Sequence, residues 1–304
     1  MRIAVVDRDA LAACRYLEAA RPDVSFIPVA DPASMPGIEA DAIFGHNYPA
    51  SVFDRVKGVR WVQWWSAGVD GHPVPDHLLF TRMVGAFNRD MSEHVLGQVL
   101  DFAHQFQTAR DQQAGRIWAR YPTRRLNELT VGIGGGGEIG RAAGEMLEGL
   151  GAAVKYLVRQ LKAGDAAPPF FDRARERAFF DDLDVLVLVM PHTADTEGFL
   201  NRERLGWLPR GAAVLNIGRG RVVDEDALRE ALDRGQVARA YLDVQRTEPL
   251  PADSWLWTHP RVVITPHLSG AGRDEDVLDR SLENLARFER GEALLGVVDR
   301  ERGY

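Results

Sequence analysis

The sequence predicts an α/β fold built from two doubly wound parallel-sheet domains. The chain has 304 residues, and at roughly 150 residues per domain this length suggests two domains. Short apolar, β-branched runs alternate with turns and helical-period segments along the chain, as in α/β proteins. Two of these runs, DVLVLVM and RVVIT, are continuously apolar, which indicates strands buried on both faces.

The predicted strands form two series. The first series comprises residues 2–6, 24–29, 41–45, 59–65 and 83–86. The second series comprises residues 129–133, 153–158, 184–190, 212–217, 239–244 and 261–265. Helical-period segments at about 92–111 and 274–290 connect the two series, and residues 294–304 are expected to return to the first domain.

Composition excludes several classes of protein. The formal net charge of −7 provides no diffuse positive field to attract nucleic acid or an anionic membrane. The single cysteine, Cys14, excludes an intrachain disulfide and leaves little scope for a cysteine-based zinc site. The apolar run before Asp7 is too short for a signal peptide, and no stretch approaches a membrane span. We therefore expect a cytoplasmic protein without a membrane partner.

A glycine-rich segment, LTVGIGGGGEIGR, leads from a predicted strand into a predicted helix. Gly135, Gly137 and Gly140 have GxGxxG spacing, and the helix is expected from about Glu138. Such a turn brings bare backbone against a pyrophosphate, and the helix N-terminus then holds the phosphates. The segment therefore predicts a dinucleotide site that includes Glu138 and Ile139. The alternative, a flexible glycine linker, is disfavoured because an apolar strand continues up to the glycines.

The end of the next strand indicates which dinucleotide binds. NAD-binding units place a carboxylate there to hold the ribose 2′-hydroxyl. Here Val158 stands 18 residues after Gly140 and is followed by Arg159, Gln160 and Lys162. A guanidinium suits a 2′-phosphate, so we predict NADP(H) as the cofactor. The alternative is a solvated surface arginine beside an undemanding valine.

Three polar residues follow successive strands of the second series. Arg219, Glu248 and His267 come after the strands predicted at 212–217, 239–244 and 261–265. In parallel sheets, ligands bind beyond the carboxyl ends of the strands. A cation can hold the carboxylate of a 2-keto acid, an imidazole can deliver a proton as hydride arrives, and a carboxylate can orient that imidazole. We therefore predict Arg219 and His267 as substrate-binding and catalytic residues, with Glu248 as the third catalytic residue.

Each of these three residues also has an ordinary structural explanation. Arg219 could form a surface ion pair, Glu248 could belong to a turn before Pro249, and His267 could be merely polar. Their order after successive strands favours catalysis. A competing histidine, His192, follows a strand and Pro191, and we expect both to line the adenosine side of the cofactor.

The remaining histidines show no metal-ligand spacing, so no metal site is predicted. They are His46, His72, His77, His94, His104 and His259.

Several motifs in the same order resemble the D-isomer-specific 2-hydroxyacid dehydrogenases. They are TVGIGGGGEIGR, MPHTADT, VLNIGRGRVVDEDAL, LDVQRTEPLP and TPHLSG. The resemblance is dense over about residues 88–285 and looser before them. Val158 and Arg159 make the chain most similar to the NADPH-dependent glyoxylate/hydroxypyruvate reductases of that family.

The resemblance implies a Rossmann cofactor domain and a flavodoxin-like substrate domain with a cleft between them. The substrate domain is expected at residues 1–96, completed by 285–304, and the dinucleotide-binding domain at 97–284. Asp243 matches the aspartate that holds the nicotinamide carboxamide. Ala67 and Gly68 match the loop whose backbone N–H groups bind the substrate carboxylate.

The resemblance also implies a homodimer. The stretch 105–122, which includes Trp118, resembles the interlocking arm of the family. Beside the substrate loop, the tryptophans of WVQWW are expected to pack in the core, and the alternative is that Trp64 or Trp65 limits substrate size.

Together these features predict an oxidoreductase that transfers hydride from NADPH to a small 2-keto acid, glyoxylate or hydroxypyruvate, and forms the D-2-hydroxy acid. Two alternatives stay open at this point. One is another branch of the family, such as a phosphoglycerate dehydrogenase. The other is a non-enzymatic protein that senses NAD(P).

Overall fold

The computed structural model describes residues 1–33, 35–72, 74–161, 165 and 169–304. These residues form two compact units, one of residues 1–87 with 272–304 and one of residues 88–271. The predicted domain boundaries, 96/97 and 284/285, lie within the helices Asn88–His104 and Asp274–Arg290. The assignment of a binding function to each unit stays a prediction.

The first unit contains a five-stranded parallel sheet of order β2-β1-β4-β6-β7 and a small pair, β3-β5. The strands are β1 (Arg2–Val6), β2 (Ser25–Val29), β3 (Ile38–Glu39), β4 (Ala42–Gly45), β5 (Val56–Lys57), β6 (Trp61–Trp64) and β7 (Leu79–Thr81). The helices of this unit are α1 (Ala10–Ala20), α2 (Val52–Arg55) and α9 (Asp274–Arg290).

Helix α1 shows why this layer forms. Ala10, Ala13, Cys14 and Leu17 recur at helical spacing and are the buried residues of the helix. They pack into the same core as the fully buried Trp61 of the sheet. The first unit therefore has its own apolar core.

The prediction of a strand at residues 83–86 is wrong. The edge strand lies earlier, at β7, where Thr81 pairs with Gln63 of β6. Met83 is fully buried by packing, and Gly85 has φ +82°, which a strand does not allow. The apolar run at 83–86 therefore reflects burial of side chains in the core and not strand pairing.

The second unit contains a seven-stranded sheet of order β10-β9-β8-β11-β12-β13-β14, and every neighbouring pair is parallel. The helices are α3 (Asn88–His104), α4 (Phe106–Ala114), α5 (Glu138–Gly149), α6 (Glu176–Phe180), α7 (Arg202–Trp207) and α8 (Glu225–Asp233). The strands are β8 (Thr130–Gly134), β9 (Ala153–Leu157), β10 (Phe170–Phe171), β11 (Val185–Leu188), β12 (Ala212–Asn216), β13 (Val237–Leu242) and β14 (Val262–Ile264).

Helix α8 illustrates the local forces in this unit. The side chain of Asp224 caps the helix by accepting a hydrogen bond from the Ala227 N–H at 3.0 Å. Such a cap stabilises a helix by about 1 kcal/mol. Leu228 and Leu232, one turn apart, are fully buried against the sheet core. Parallel sheets flanked by helices confirm the predicted α/β class.

The helix predicted at about 92–111 is two helices. Gln105 has φ +52°, in the left-handed region, and this residue ends α3 and begins α4. None of the residues of α4 is buried. Across the described part of the chain, no helix is long and apolar enough to cross a membrane.

Candidate functional site

One edge of the seven-stranded sheet carries the predicted cofactor and catalytic residues of the second unit. Because the strands are parallel, their carboxyl ends share this edge. The glycine loop follows β8, Arg159 follows β9, and Arg219, Glu248 and His267 follow β12, β13 and β14. From β9 to β14 this edge spans five strand spacings, or about 24 Å. The edge is thus long enough for an extended ligand.

The glycine loop fits a dinucleotide pyrophosphate. Gly135 has φ +115°, and a Cβ there would lie 2.8 Å from the carbonyl oxygen of Val189. A Cβ on Gly140 would lie 2.0 Å from the carbonyl oxygen of Gly135, so the helix packs directly on the turn. A Cβ on Gly137 would meet no atom within 4 Å. Gly135 and Gly140 are therefore required by the protein's own packing. Gly137 instead faces open space at the N-terminus of α5, the kind of position where phosphates bind.

Two further predicted residues begin α5 as expected. Glu138 is the first residue of the helix and is exposed, and Ile139 is half-buried. Arg141 in the same turn donates from Nε to the carbonyl oxygen of Gly136 at 3.0 Å. This contact fixes the glycine loop, and sequence inspection did not identify it.

The end of β9 carries the residues predicted to select NADP(H). Val158 is buried against the loop, since a Cβ on Gly136 would lie 2.4 Å from its Cγ1. Arg159 follows and is exposed at the sheet edge. Lys162 lies outside the described residues. The side chain next to the glycine loop is therefore a valine, and a guanidinium stands beside it.

The structure brings Glu248 and His267 into contact. Nδ1 of His267 lies 2.7 Å from Oε2 of Glu248. The other carboxylate oxygen of Glu248 accepts a hydrogen bond from the Gln245 N–H at 2.9 Å, which holds the carboxylate in place. About half of the His267 side chain is exposed, so the imidazole is accessible from solvent while its Nδ1 contacts Glu248.

His267 is held in an uncommon backbone conformation. Its φ is +50°, in the left-handed region that a residue with a side chain rarely occupies. The His267 N–H donates to the carbonyl oxygens of Asp243 and Thr265 at 2.8 and 3.0 Å. Such strain costs on the order of 1–3 kcal/mol and is common at functional sites.

Arg219 lies on a turn that packs against the loop of Glu248. A Cβ on Gly220 would lie 2.0 Å from the backbone of Gln245. Asn216, the last residue of β12, supports the turn by donating to the carbonyl oxygen of Arg219 at 3.0 Å and accepting from Gly218 at 3.1 Å. Sequence analysis missed Asn216, although an amide at the end of an apolar strand is the kind of signal that could have identified it.

Asp243 is fully buried, and its carboxylate supports the loop of His267. Its oxygens accept hydrogen bonds from Thr265 Oγ1 and from the Leu268 and Ser269 N–H groups at 2.5, 3.0 and 3.0 Å. Burial raises the pKa of Asp243, but the hydrogen bonds from Ser269 and Thr265 outweigh it and the net pKa is lowered. A contact between Asp243 and a nicotinamide carboxamide stays a prediction.

His94 on α3 is a second histidine near this carboxylate. Burial lowers the pKa of His94, and the negative charge of Asp243 opposes that shift. In the sequence, His94 shows no metal-ligand spacing, and the SEH of residues 92–94 matches the resembled family only roughly. Its charge interaction with Asp243 arises only on folding, because the two residues are far apart in the sequence.

His192 contacts Glu197, and Glu197 in turn lies 3.3 Å from the guanidinium of Arg246. Pro191 is half-buried after β11, and its carbonyl oxygen accepts from Thr196 Oγ1 at 2.7 Å. The adenosine-side role of His192 and Pro191 stays a prediction. In the described part of the chain, no group of three or more His, Cys, Asp or Glu residues could hold a metal ion.

The predicted substrate loop follows β6 in the first unit. Ala67 and Gly68 are half-buried, and the Gly68 N–H lies 3.3 Å from Ser66 Oγ. All three tryptophans of WVQWW are buried, which confirms core packing: their exposed fractions are 0% for Trp61, 6% for Trp64 and 7% for Trp65. The indole of Trp64 donates to the carbonyl oxygen of Gly68 at 3.1 Å and so supports the loop.

His72, beside this loop, gives a testable dependence of stability on pH. Both of its ring nitrogens are buried without a hydrogen-bond partner among the described residues, and its ring centroid lies 3.5 Å from that of Trp64. Burial lowers the pKa of His72 from 6.5 to about 4. Between these pH values the unfolded chain binds the extra proton, so the free energy of unfolding falls as the pH drops through this window.

We expect this fall to contribute about 1–2 kcal/mol, after allowance for the partial solvent access of the ring. Urea denaturation at several pH values measures it. His72→Phe should flatten the pH dependence, whereas the exposed control His77→Gln should leave it unchanged. An unchanged slope in His72→Phe would exclude His72 as the source.

A glycine cradle after one strand and a histidine–carboxylate pair after two others define the class as a dinucleotide-dependent dehydrogenase. A sequence model of the D-isomer specific 2-hydroxyacid dehydrogenase, NAD binding domain, matches residues 96–269. The chain belongs to the D-isomer-specific 2-hydroxyacid dehydrogenase family and is an oxidoreductase.

The most similar relatives include glyoxylate/hydroxypyruvate reductase A of Salmonella paratyphi B (strain ATCC BAA-1250 / SPB7). It is 37% identical over 214 residues, which cover 70% of this chain and 69% of the relative. Among solved structures, an NADPH-dependent glyoxylate/hydroxypyruvate reductase from Sinorhizobium meliloti, in complex with NADP and sulfate, has a TM-score of 0.90 and 28% identity with full coverage of both chains.

A D-isomer specific 2-hydroxyacid dehydrogenase from Xanthobacter autotrophicus Py2, in complex with NADPH and MES, is also similar. Its TM-score is 0.87 and its identity 31%, with 99% of each chain covered.

Proposed function

We propose that this protein reduces a small 2-keto acid, glyoxylate or hydroxypyruvate, to the D-2-hydroxy acid with NADPH. The observation that carries the proposal is the contact of His267 Nδ1 with Glu248 Oε2 at 2.7 Å, beside the turn of Arg219. The relatives named as glyoxylate/hydroxypyruvate reductases support the choice of substrate. Loss of reduced-nicotinamide absorbance with each keto acid is the test.

Glu248, His267 and Arg219 each have a separate role in the proposed reaction. The bound cofactor supplies the hydride. Glu248 accepts a hydrogen bond from the Nδ1–H group of His267 and so orients the protonated imidazole with its Nε2–H toward the substrate as the proton donor. His267 delivers that proton to the carbonyl oxygen as the carbonyl carbon is reduced, so a hydroxyl group forms. Arg219 binds the substrate carboxylate and polarises the adjacent carbonyl.

The preference for NADPH gives a prediction at Arg159. Replacing Arg159 with Gln removes a guanidinium that we assign to the 2′-phosphate. A hydrogen bond between charged groups contributes about 1.5–3 kcal/mol, so kcat/KM with NADPH should fall roughly 10- to 100-fold. The value with NADH should stay nearly constant, because NADH carries a 2′-hydroxyl there. An equal change with both cofactors would contradict the assignment.

Two other functions remain as outcomes of the activity test. A phosphoglycerate dehydrogenase would prefer a phosphorylated substrate, and a panel of keto and hydroxy acids distinguishes it. A sensor would bind NADPH tightly and turn over none of them. The intact histidine–carboxylate contact at the strand ends supports an enzyme over a sensor.

We also propose that the protein forms a homodimer through the segment 105–122. Apolar side chains on this segment are exposed: Phe106 by 48%, Ile117 by 57% and Trp118 completely. Exposed apolar groups at this density are typical of a surface that a partner covers.

A reducing cytoplasm is proposed as the location of the protein. Burial, with the charge of Glu18, raises the pKa of the Cys14 thiol to about 12, so this free cysteine is unreactive.

Trp118→Ser should therefore weaken dimerisation. A buried interfacial tryptophan commonly contributes 2 kcal/mol or more, which corresponds to a rise of about 30-fold in the dimer dissociation constant. Sedimentation velocity over a range of concentrations measures this constant. Trp257→Ser, at a tryptophan 54% exposed elsewhere in the unit, serves as the control. A monomeric wild type would contradict the proposal.

A further inference from the structure

A cavity of about 250 Å³ lies between α7 and α8 in the second unit. Its lining includes Arg202 and Leu205 from α7, Arg210 from the turn before β12, and Arg234 from the end of α8. Arg210 and Arg234 precede β12 and β13 in the chain, so the cavity lies at the amino ends of these strands. The candidate catalytic residues follow the carboxyl ends of the same strands, about 17–20 Å away.

The cavity carries an excess of positive charge. Arg202 donates to both carboxylate oxygens of Glu230, and Arg234 Nη1 lies 3.5 Å from Glu230 Oε2. Arg210 Nη2 donates to the carbonyl oxygen of Arg234 at 2.9 Å, a bond that orients the guanidinium without neutralising it. The cavity is therefore lined by three guanidinium groups, of which Arg202 and Arg234 share the single carboxylate of Glu230, and this excess of positive charge favours anions.

Small residues provide the space between the helices. Ala227 and Ala231 of α8 form part of the wall, with Leu205 opposite on α7. The lining thus combines apolar and cationic side chains, which suits a molecule with a short carbon chain and an anionic end. The volume of about 250 Å³ lies just below the range of typical ligand pockets, roughly 300–1,000 Å³, and is too small for a nucleotide.

We propose that this cavity binds a small organic oxyanion, carboxylate or phosphate, at a site separate from the catalytic edge. Guanidinium groups match the geometry of both oxyanions with paired N–H donors. Glu230 holds two of the three arginines and competes with the ligand for them. The ligand therefore displaces Glu230 from at least one guanidinium when it binds.

Calorimetric titration of the full chain, saturated with NADP⁺, tests the proposal with two probes, inorganic phosphate and succinate. We expect stoichiometric binding of at least one probe. Binding of phosphate alone would assign a phosphate site, and binding of succinate alone a carboxylate site. Arg210→Gln should weaken binding about tenfold or more, because a charged hydrogen-bond donor is lost. Glu230→Gln should strengthen it severalfold, because the competing carboxylate is removed.

Two controls separate this site from other sources of anion binding. Arg89→Gln removes an equal charge from an exposed ion pair on α3 and should leave the affinity unchanged. Arg219→Gln removes the residue proposed to bind the substrate carboxylate and should also leave the anion affinity of the cavity unchanged. Failure of the proposed catalytic function can therefore be distinguished from failure of the cavity proposal. If Arg210→Gln does not fold, Arg234→Gln and Glu230→Gln decide the question. Absence of binding for both probes at millimolar concentration, or binding lost in Arg219→Gln, would overturn the proposal.

Discussion

His267→Gln is expected to lower kcat for 2-keto acid reduction by about 10²- to 10⁴-fold. Glutamine keeps a polar side chain of similar size but cannot release a proton near neutral pH. In the folded protein the imidazole contacts Glu248 through Nδ1, so its other nitrogen is the group that we assign to proton delivery. Stopped-flow and steady-state oxidation of NADPH with hydroxypyruvate measure the loss.

Cofactor binding separates this role from a structural one. His267→Gln should bind NADPH with nearly the affinity of the wild type, because the glycine loop after β8 is untouched. His77→Gln, at an exposed histidine of the first unit, should retain full activity and serves as the matched control. Near-normal turnover in His267→Gln would remove this residue from the mechanism.

Gly140→Ala should weaken cofactor binding through a clash within the protein. The added Cβ would lie 2.0 Å from the carbonyl oxygen of Gly135, and backbone atoms cannot move aside as a flexible side chain can. Either the turn or the start of α5 must shift, which costs about 1–3 kcal/mol of stability. We expect the Kd for NADPH to rise at least about tenfold, which corresponds to 1.4 kcal/mol of lost binding free energy.

The control for this change lies at the far end of the same helix. A Cβ on Gly149 would meet no atom within 4 Å, so Gly149→Ala should bind NADPH normally and gain about 0.5 kcal/mol of stability. Fluorescence titration with NADPH and urea denaturation measure the two quantities. Equal affinities in the two alanine variants would refute the tight loop geometry.

Local sequence patterns predicted the secondary-structure elements that carry the site, because each pattern depends on only a few neighbouring residues. The glycine spacing placed the start of α5 at Glu138, and the apolar period of the last long segment predicted a helix over 274–290, as found for α9. The edge carrying Arg219, Glu248 and His267 was predictable because parallel strands end on the same side of a sheet. These inferences need only the type of each element and its order.

Features that depend on distant partners were not predictable. The runs LFT at 79–81 and MVGA at 83–86 are both largely apolar, and only pairing with β6 selects the first as a strand. Gln105 ends one helix and begins the next, although no glycine or proline at this position predicts the break. The position of Asp243 after a strand does not reveal that its carboxylate is buried under Thr265 and Ser269. Such contacts are set by the packing of the whole unit.

We propose above that His267 and Glu248 together make this protein a reductase of small 2-keto acids. The most direct measurement is the oxidation of NADPH by the wild-type protein with hydroxypyruvate, followed by chiral analysis of the glycerate formed. We predict rapid, stoichiometric oxidation with only the D-isomer as product. Tight binding of NADPH without oxidation by any small 2-keto acid, or formation of the L-isomer, would contradict the claim.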